Sequence, residues 1–67
     1  MEHFNKIFIY GLIIDIQKEY FIIQTTNIKL NIYYDNINYI KINVQYLIMA
    51  KYIINNNIIQ IYCLEVL

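Results

Sequence analysis

The chain has 67 residues, 60% of them apolar, and five Lys balance five acidic residues so that the formal net charge is zero. This length allows one small domain spanning residues 1–67, and the apolar content excludes a disordered chain. With no net charge, the chain has no overall attraction to nucleic acid or anionic lipid. One Cys excludes an internal disulfide, and no apolar run approaches the roughly 18 residues of a membrane span.

The residue usage is strongly biased. Ile, Asn, Tyr, Lys and Phe make up 43 of the 67 residues, and these are the amino acids whose codons can be built from A and T alone. The bias indicates an AT-rich genome. We therefore expect an intracellular protein, in the plastid stroma or in the cytoplasm of an AT-rich organism, and we give more weight to residue pattern than to residue identity.

The first predicted strand runs from Phe4 to Ile16. Ile7 and Ile9 alternate with three residues that are predicted to face outward, Lys6, Phe8 and Tyr10. After Gly11 the alternation slips by one residue, which predicts Leu12, Ile14 and Ile16 on one face and Ile13 outward. A lone Gly at such a slip is typical of a bulge or bend in a long strand.

Four more strands follow, because β-branched and aromatic residues recur in short alternating runs. The predicted ranges are Tyr20–Thr25, Ile28–Tyr34, Val44–Ile53 and Ile58–Val66. Asn27 is expected to adopt a left-handed conformation, and Asp35 is expected to cap a short helical turn over Asn36–Ile40. Asn55–Asn57 is predicted to be a hairpin loop.

This order predicts an all-β fold, a small five-stranded OB-fold barrel with at most a short helical turn between strands 3 and 4. A long first strand that bends at a glycine can pair at both ends of a closed sheet. A five-stranded barrel of the SH3 or Sm kind is the alternative.

Three segments resemble the bacterial-type single-stranded DNA-binding proteins. The segment Asn5–Asp15 is similar to that family's opening strand, with an Asn-Lys pair, apolar residues, a Gly and an Asp. The segment Tyr39–Tyr52 resembles a tyrosine-leucine-lysine-lysine-glycine motif and the strand after it, with Asn43 in place of the first glycine and Ala50 in place of the second. Asn is the best non-glycine substitute at positive φ. Ile59–Leu67 is similar to the last barrel strand.

The chain also departs from that family. The long hairpins that wrap DNA are reduced to turns, the stacking tryptophans are absent, and no acidic, glycine-rich tail follows the last strand. The resemblance is therefore to a minimal relative, similar to short plastid-encoded or primosomal members. It implies an OB-fold that binds single-stranded DNA in replication.

Outward aromatic rings and lysines are the candidate nucleic-acid-binding residues, because bases stack on rings and phosphates pair with cations. The predicted strands carry seven of them, Lys6, Phe8, Tyr10, Lys29, Tyr33, Lys51 and Tyr62. If the strands close into a barrel, these side chains fall on neighbouring strands. The alternative is that the tyrosines are ordinary amphipathic cover.

Catalysis, metals and cofactors are not expected. His3 and Cys63 are the only soft metal ligands and lie sixty residues apart, whereas a zinc site needs four ligands at short spacings. The chain has no Ser and no glycine-rich loop for phosphate. No pattern in the sequence indicates a cleft, a nucleophile or an oxyanion donor beside a pair of carboxylates, so no acid–base couple is predicted.

The apolar content exceeds what a small barrel can bury. Five strands direct roughly 15 to 18 side chains inward, whereas 60% of 67 residues are apolar. A monomer rarely exposes such a surplus, so we expect a homo-oligomer or a subunit of a larger complex. The outward residues expected in an interface are Phe8, Ile13, Leu47 and Met49.

Two functional hypotheses follow. The first is a non-catalytic protein that binds single-stranded nucleic acid by aromatic stacking and lysine–phosphate contacts. The second is an accessory subunit that uses the barrel as a protein–protein adaptor. A surface with both rings and lysines favours the first, and a flat Ile/Tyr patch without a cation favours the second.

Overall fold

A computed structural model describes residues 5–67 of the chain. The five strands are β1 (Lys6–Ile16), β2 (Tyr20–Gln24), β3 (Lys29–Tyr33), β4 (Gln45–Asn55) and β5 (Ile58–Val66), and a short 3-10 helix (Ile37–Tyr39) lies between β3 and β4. The predicted order of elements is confirmed, and the strand limits differ by one or two residues. The predicted start of the first strand at Phe4 lies outside the described residues.

The strands form a closed barrel in the order β1-β2-β3-β5-β4, with β4 returning to β1. All neighbouring strands are antiparallel except β3 and β5, which pair in parallel at Ile32–Ile61 and Tyr33–Tyr62. This is the OB-fold arrangement, so the predicted fold class is confirmed. No described helix has the length and apolar character needed to cross a membrane.

Strand β1 bends so that it can pair with two neighbours. Its first half pairs with β4 and its second half with β2, and Leu12 is the residue at which the two ladders overlap, opposite both Gln45 and Gln24. The barrel closes because one strand takes part in both ladders. The predicted role of a long, bent first strand is therefore confirmed.

Gly11 lies at this bend for a reason that the alternation alone does not reveal. A Cβ atom at Gly11 would lie 2.5 Å from the carbonyl oxygen of Gln24 and 2.9 Å from a side-chain carbon of Ile23. The β2 backbone therefore occupies the space that a side chain would need. The glycine allows the two strands to approach closely, which is one structural reason for a glycine within a strand.

The prediction that Ile13 faces outward is wrong. Its side chain is fully buried, in phase with Ile9 and Gly11, because the register slips between Ile13 and Asp15 and not at Gly11. Ile14 is the extra residue of this bulge. The alternation slips two residues later than predicted, so Ile13 belongs to the core.

The core is entirely apolar among the described residues. Its buried members come from all five strands and from the residue after the 3-10 helix: Ile9, Ile13, Phe21, Ile23, Ile32, Ile40, Ile48, Ala50 and Cys63. Full burial contributes roughly 1.5–3 kcal/mol for each large side chain. The remaining apolar residues lie partly or largely on the surface.

Asparagines form two of the tight turns. Asn43, which stands in place of a glycine in the family that the sequence resembles, has a φ of 65°. Asn56 and Asn57 have φ values of 53° and 66°, which is the type I′ geometry of a two-residue hairpin, and the predicted loop is confirmed. In each case the short polar side chain tolerates the left-handed conformation.

Two local predictions are wrong. Asn27 does not have a positive φ; instead the hydroxyl of Thr25 accepts hydrogen bonds from the backbone N–H groups of Asn27 and Ile28. The 3-10 helix is capped at Asn36, without a side-chain hydrogen bond, and not by Asp35. Short polar side chains can stabilise a turn in several ways, and the sequence does not decide between them.

Candidate nucleic-acid interface

One outward residue from each strand lies in a single row around the barrel. Tyr20 pairs with Tyr33, Tyr33 with Tyr62, Tyr62 with Lys51, and Lys51 with Lys6. We call these five residues the tyrosine–lysine band. Directly paired residues point to the same side of a sheet, so the band is continuous across all five strands.

The outward direction of the band follows from the core residues beside it. Phe21 and Ile32 are buried neighbours of Tyr20 and Tyr33 along the chain, and Cys63 is the buried neighbour of Tyr62. Successive side chains of a strand point to opposite faces, so burial of one set turns the other set outward. The three tyrosines and Lys51 are half-buried, and Lys6 is exposed.

The three tyrosine rings contact one another in series. The ring centroids of Tyr20 and Tyr33 are 5.7 Å apart with planes at 54°, and those of Tyr33 and Tyr62 are 5.5 Å apart at 33°. Such pairs contribute about 0.5–1.5 kcal/mol beyond the area that they bury. The rings therefore hold one another in place, which keeps the row of aromatic surfaces ordered.

A cation and an amide extend this row. The Nζ of Lys51 lies 5.9 Å from the centroid of the Tyr62 ring, which is cation–π distance. The hydroxyl of Tyr62 donates a hydrogen bond of 3.3 Å to Oε1 of Gln60. The ammonium group is thus held beside an aromatic face.

Shallow depressions flank Tyr33 on both sides. One is lined by Tyr20, Tyr33 and the turn Gln17–Glu19 between β1 and β2. The other lies between β3 and β5 and includes Asp35 and Lys51. Each depression contains one lysine and one acid, Lys18 with Glu19 and Lys51 with Asp35. The surface is rich in rings and nearly neutral in charge.

Four of the seven predicted binding residues belong to the band: Lys6, Tyr33, Lys51 and Tyr62. The structure places the other three elsewhere. Phe8 and Tyr10 pair with Met49 and Leu47 on the outer side of β1 and β4, and Lys29 pairs with Gln24 at the opposite end of β3 from Tyr33. Phe8 and Tyr10 share the outer side of β1 with Lys6, two and four residues further along the strand, whereas Lys29 lies at the other end of β3 from the band.

Sequence reasoning missed Tyr20. A signal was present, because Tyr20 alternates with the apolar pair Phe21 and Ile23 and so has the phase of an outward residue. The register of β2 against β3 then brings it next to Tyr33. Pairing register depends on both strands and on the turn between them, so the pattern of one strand does not reveal it.

Three of the four predicted interface residues lie together on a second surface. Phe8 pairs with Met49, and Tyr10 pairs with Leu47. We call these four residues the outer β1–β4 face. Phe8 and Tyr10 are 65% and 59% exposed. The fourth predicted residue, Ile13, has no exposed surface with which to contact a partner.

The thiol of Cys63 is buried and is expected to be chemically inert. Burial raises the pKa of Cys63 from its ordinary 9.0 to about 11, and a backbone hydrogen bond at Glu65 opposes this in part. The thiolate is the reactive species, so at pH 8 we expect a disulfide reagent to label the folded protein at least ~10-fold more slowly than the urea-unfolded chain. Equal rates in the two states would contradict this.

The same shift has a pH consequence. The folded-state pKa of Cys63 is raised, so its neutral form is favoured by folding. Its contribution to stability is present below about pH 9 and is lost as the pH rises towards 11.

Among the described residues no group of three or more His, Cys, Asp or Glu side chains could hold a metal ion, and His3 lies outside those residues.

The band presents three aromatic rings in series, with two lysines at one end. Comparison with protein-family models, with curated proteins and with solved structures finds no match for this chain. The likeness of the sequence to single-stranded DNA-binding proteins therefore stays a resemblance, and the geometry of the tyrosine–lysine band is the basis of the function proposed below.

Proposed function

We propose that this OB-fold protein binds single-stranded nucleic acid without catalysing a reaction on it. The observation that carries the proposal is the tyrosine–lysine band, in which three mutually tilted, contacting rings and two lysines follow one another across the barrel. In OB-folds the face of strands 2 and 3 and the loops next to it bind oligonucleotides. The band crosses that face at Tyr20 and Tyr33.

Binding would rest mainly on stacking. Each base stacked on an aromatic side chain contributes about 1–3 kcal/mol, and stacking is tolerant of sequence because every base has a π face. Lys51 and Lys6 at one end of the row, with Lys18 beside the other end, can contact phosphates. The chain as a whole is neutral, so we expect few phosphate contacts and a shallow dependence on salt.

The direct experiment is a titration of a fluorescently labelled thymine oligomer of about 12 nucleotides, within the site sizes of OB-folds, read out as fluorescence anisotropy in low salt. We expect saturable binding. A plot of log K against log salt concentration should have a slope of about −1.4 to −2.1, as for two or three phosphate contacts on a single strand. No rise in anisotropy at several hundred micromolar protein would refute the proposal. A labelled duplex of the same length is the control and should bind more weakly, because its bases are not free to stack.

A second candidate function is supported by the outer β1–β4 face. Phe8 and Tyr10 are largely exposed beside Met49 and Leu47, and Leu67 extends the patch through a hydrogen bond of 2.8 Å from its N–H to the carbonyl of Leu47. None of these side chains carries a charge. Such a patch is typical of a surface that binds another polypeptide, as an adaptor subunit would.

The two hypotheses predict different effects for the same two substitutions, F8K and Y33A. Under the adaptor hypothesis, F8K abolishes copurification of a defined polypeptide from the native source, and Y33A does not affect it. Under the nucleic-acid hypothesis, Y33A abolishes copurification of nucleic acid, and F8K does not affect it. Phe8 pairs with Met49 of β4, whereas Tyr33 pairs with Tyr20 and Tyr62, so each variant is a control for the other.

A further inference from the structure

The end of the β4–β5 hairpin extends beyond the pairing between β3 and β5. Strand β3 pairs with β5 only at Ile61 and Tyr62, whereas the residues before them, Ile58–Gln60, pair with β4 on one side. No other described strand pairs with Ile58–Gln60. This part of β5 therefore presents a free strand edge within the described residues.

The turn determines which backbone groups face that edge. Asn56 and Asn57 form a type I′ turn, which places a hydrogen bond between the N–H of Ile58 and the carbonyl of Asn55. Antiparallel pairs alternate between hydrogen-bonded and non-hydrogen-bonded. The next pair, Ile54 with Ile59, is therefore non-hydrogen-bonded, and Ile59 directs its N–H and C=O away from β4 towards the free edge.

Nothing in the side chains protects this edge from pairing. Free edges in natural proteins are usually blocked by lysine, proline or an inward-pointing charge. No charged residue and no proline occurs between Lys51 and Glu65. Four isoleucines cover the hairpin, and all are exposed: Ile53, Ile54, Ile58 and Ile59, the last 62% exposed.

We propose that this edge binds the same edge of a second copy of the chain. In an antiparallel pair centred on Ile59, the N–H and C=O of Ile59 in each copy meet those of Ile59 in the other, and Ile58 of one copy lies opposite Gln60 of the other. The two hairpins become one four-stranded sheet, in which the Ile59 side chains of the two copies lie opposite each other. The uncharged hairpin brings no like charges together, so a copy of itself is a compatible partner.

This proposal does not depend on nucleic-acid binding. The test uses the full chain in sedimentation velocity over a dilution series from about 100 to 1 µM. We expect the wild type and I54K to show a monomer–dimer equilibrium with similar dissociation constants. The dimer dissociation constant of I59K and of I59P should be at least ~10-fold larger. Lysine at position 59 would lie opposite lysine in the second copy, and proline removes the N–H at the free edge while leaving the β4 ladder intact.

Ile54 is the matched control, because it is paired with Ile59 and is 64% exposed. Circular dichroism should show the same strand content for every variant. Amide hydrogen exchange on the wild type needs no substitution, and protection of the Ile59 amide should rise with protein concentration while that of Ile58 stays constant. A wild-type monomer at 100 µM, equal weakening by I54K and I59K, or protection of Ile59 that is independent of concentration would overturn the proposal.

Discussion

Replacing Tyr33 by alanine is expected to weaken binding of a single-stranded thymine oligomer by about 5- to 150-fold, which corresponds to the 1–3 kcal/mol of one stacked base. Tyr33 is the central ring of the tyrosine–lysine band and contacts both Tyr20 and Tyr62. The alanine removes a stacking surface and also frees the two outer rings. The measurement is fluorescence anisotropy at a fixed low salt concentration.

Two further variants make this result specific. Y33F keeps the ring and should bind within about twofold of the wild type, because stacking does not need the hydroxyl. Y10A removes a ring that is 59% exposed, but on the outer β1–β4 face and not in the band. If Y10A weakens binding as much as Y33A does, the nucleic acid does not follow the band.

Replacing Gly11 by alanine is expected to lower the free energy of unfolding by about 3 kcal/mol, the upper end of the usual cost of overpacking. The new methyl group would lie 2.5 Å from a backbone oxygen of β2, and a backbone atom cannot rotate away as a side chain can. Gly11 has no positive φ, so the cost comes from space and not from conformation. The loss is a large part of a stability of about 5–15 kcal/mol.

Urea denaturation followed by circular dichroism measures this effect. N31A is the control, because Asn31 is exposed on the outer side of β3 and should change stability by no more than about 0.5 kcal/mol. G11A should also lose the ladder between Leu12 and Gln24, which amide hydrogen exchange would show. If G11A lowers the free energy of unfolding no more than N31A does, β2 can move away from β1 at little cost in stability.

The tyrosine–lysine band has little net charge for a surface that is proposed to bind nucleic acid. Affinity for nucleic acid commonly comes in large part from phosphate neutralisation. Here Glu19 and Asp35 lie beside Lys18 and Lys51 in the two depressions, so the local charges nearly cancel. Selectivity for single strands over duplexes then depends on unstacked bases, and it should persist at salt concentrations that remove electrostatic binding.

The alternation of apolar residues was sufficient, by itself, to locate the five strands along the chain and to identify most of their inward faces. Ile9, Ile23, Ile32 and Ile48 are buried as a period of two requires. The hairpin loop at Asn55–Asn57 was also readable, because Asn tolerates positive φ best after glycine, although the same rule failed at Asn27. These are local properties, which depend on a residue and its near neighbours in the chain.

Only the tertiary structure decided which outward residues meet. Lys6 and Lys51 are 45 residues apart in the chain, and Tyr33 and Tyr62 are 29 apart, yet the register places each pair side by side. The same register separates Lys29 and Tyr10 from the band. The bulge that buries Ile13 likewise arises from the fit of β1 to β2 around Gly11. Pairing register and the close approach of strands depend on two strands at once, so they cannot be inferred from the residue pattern of one strand.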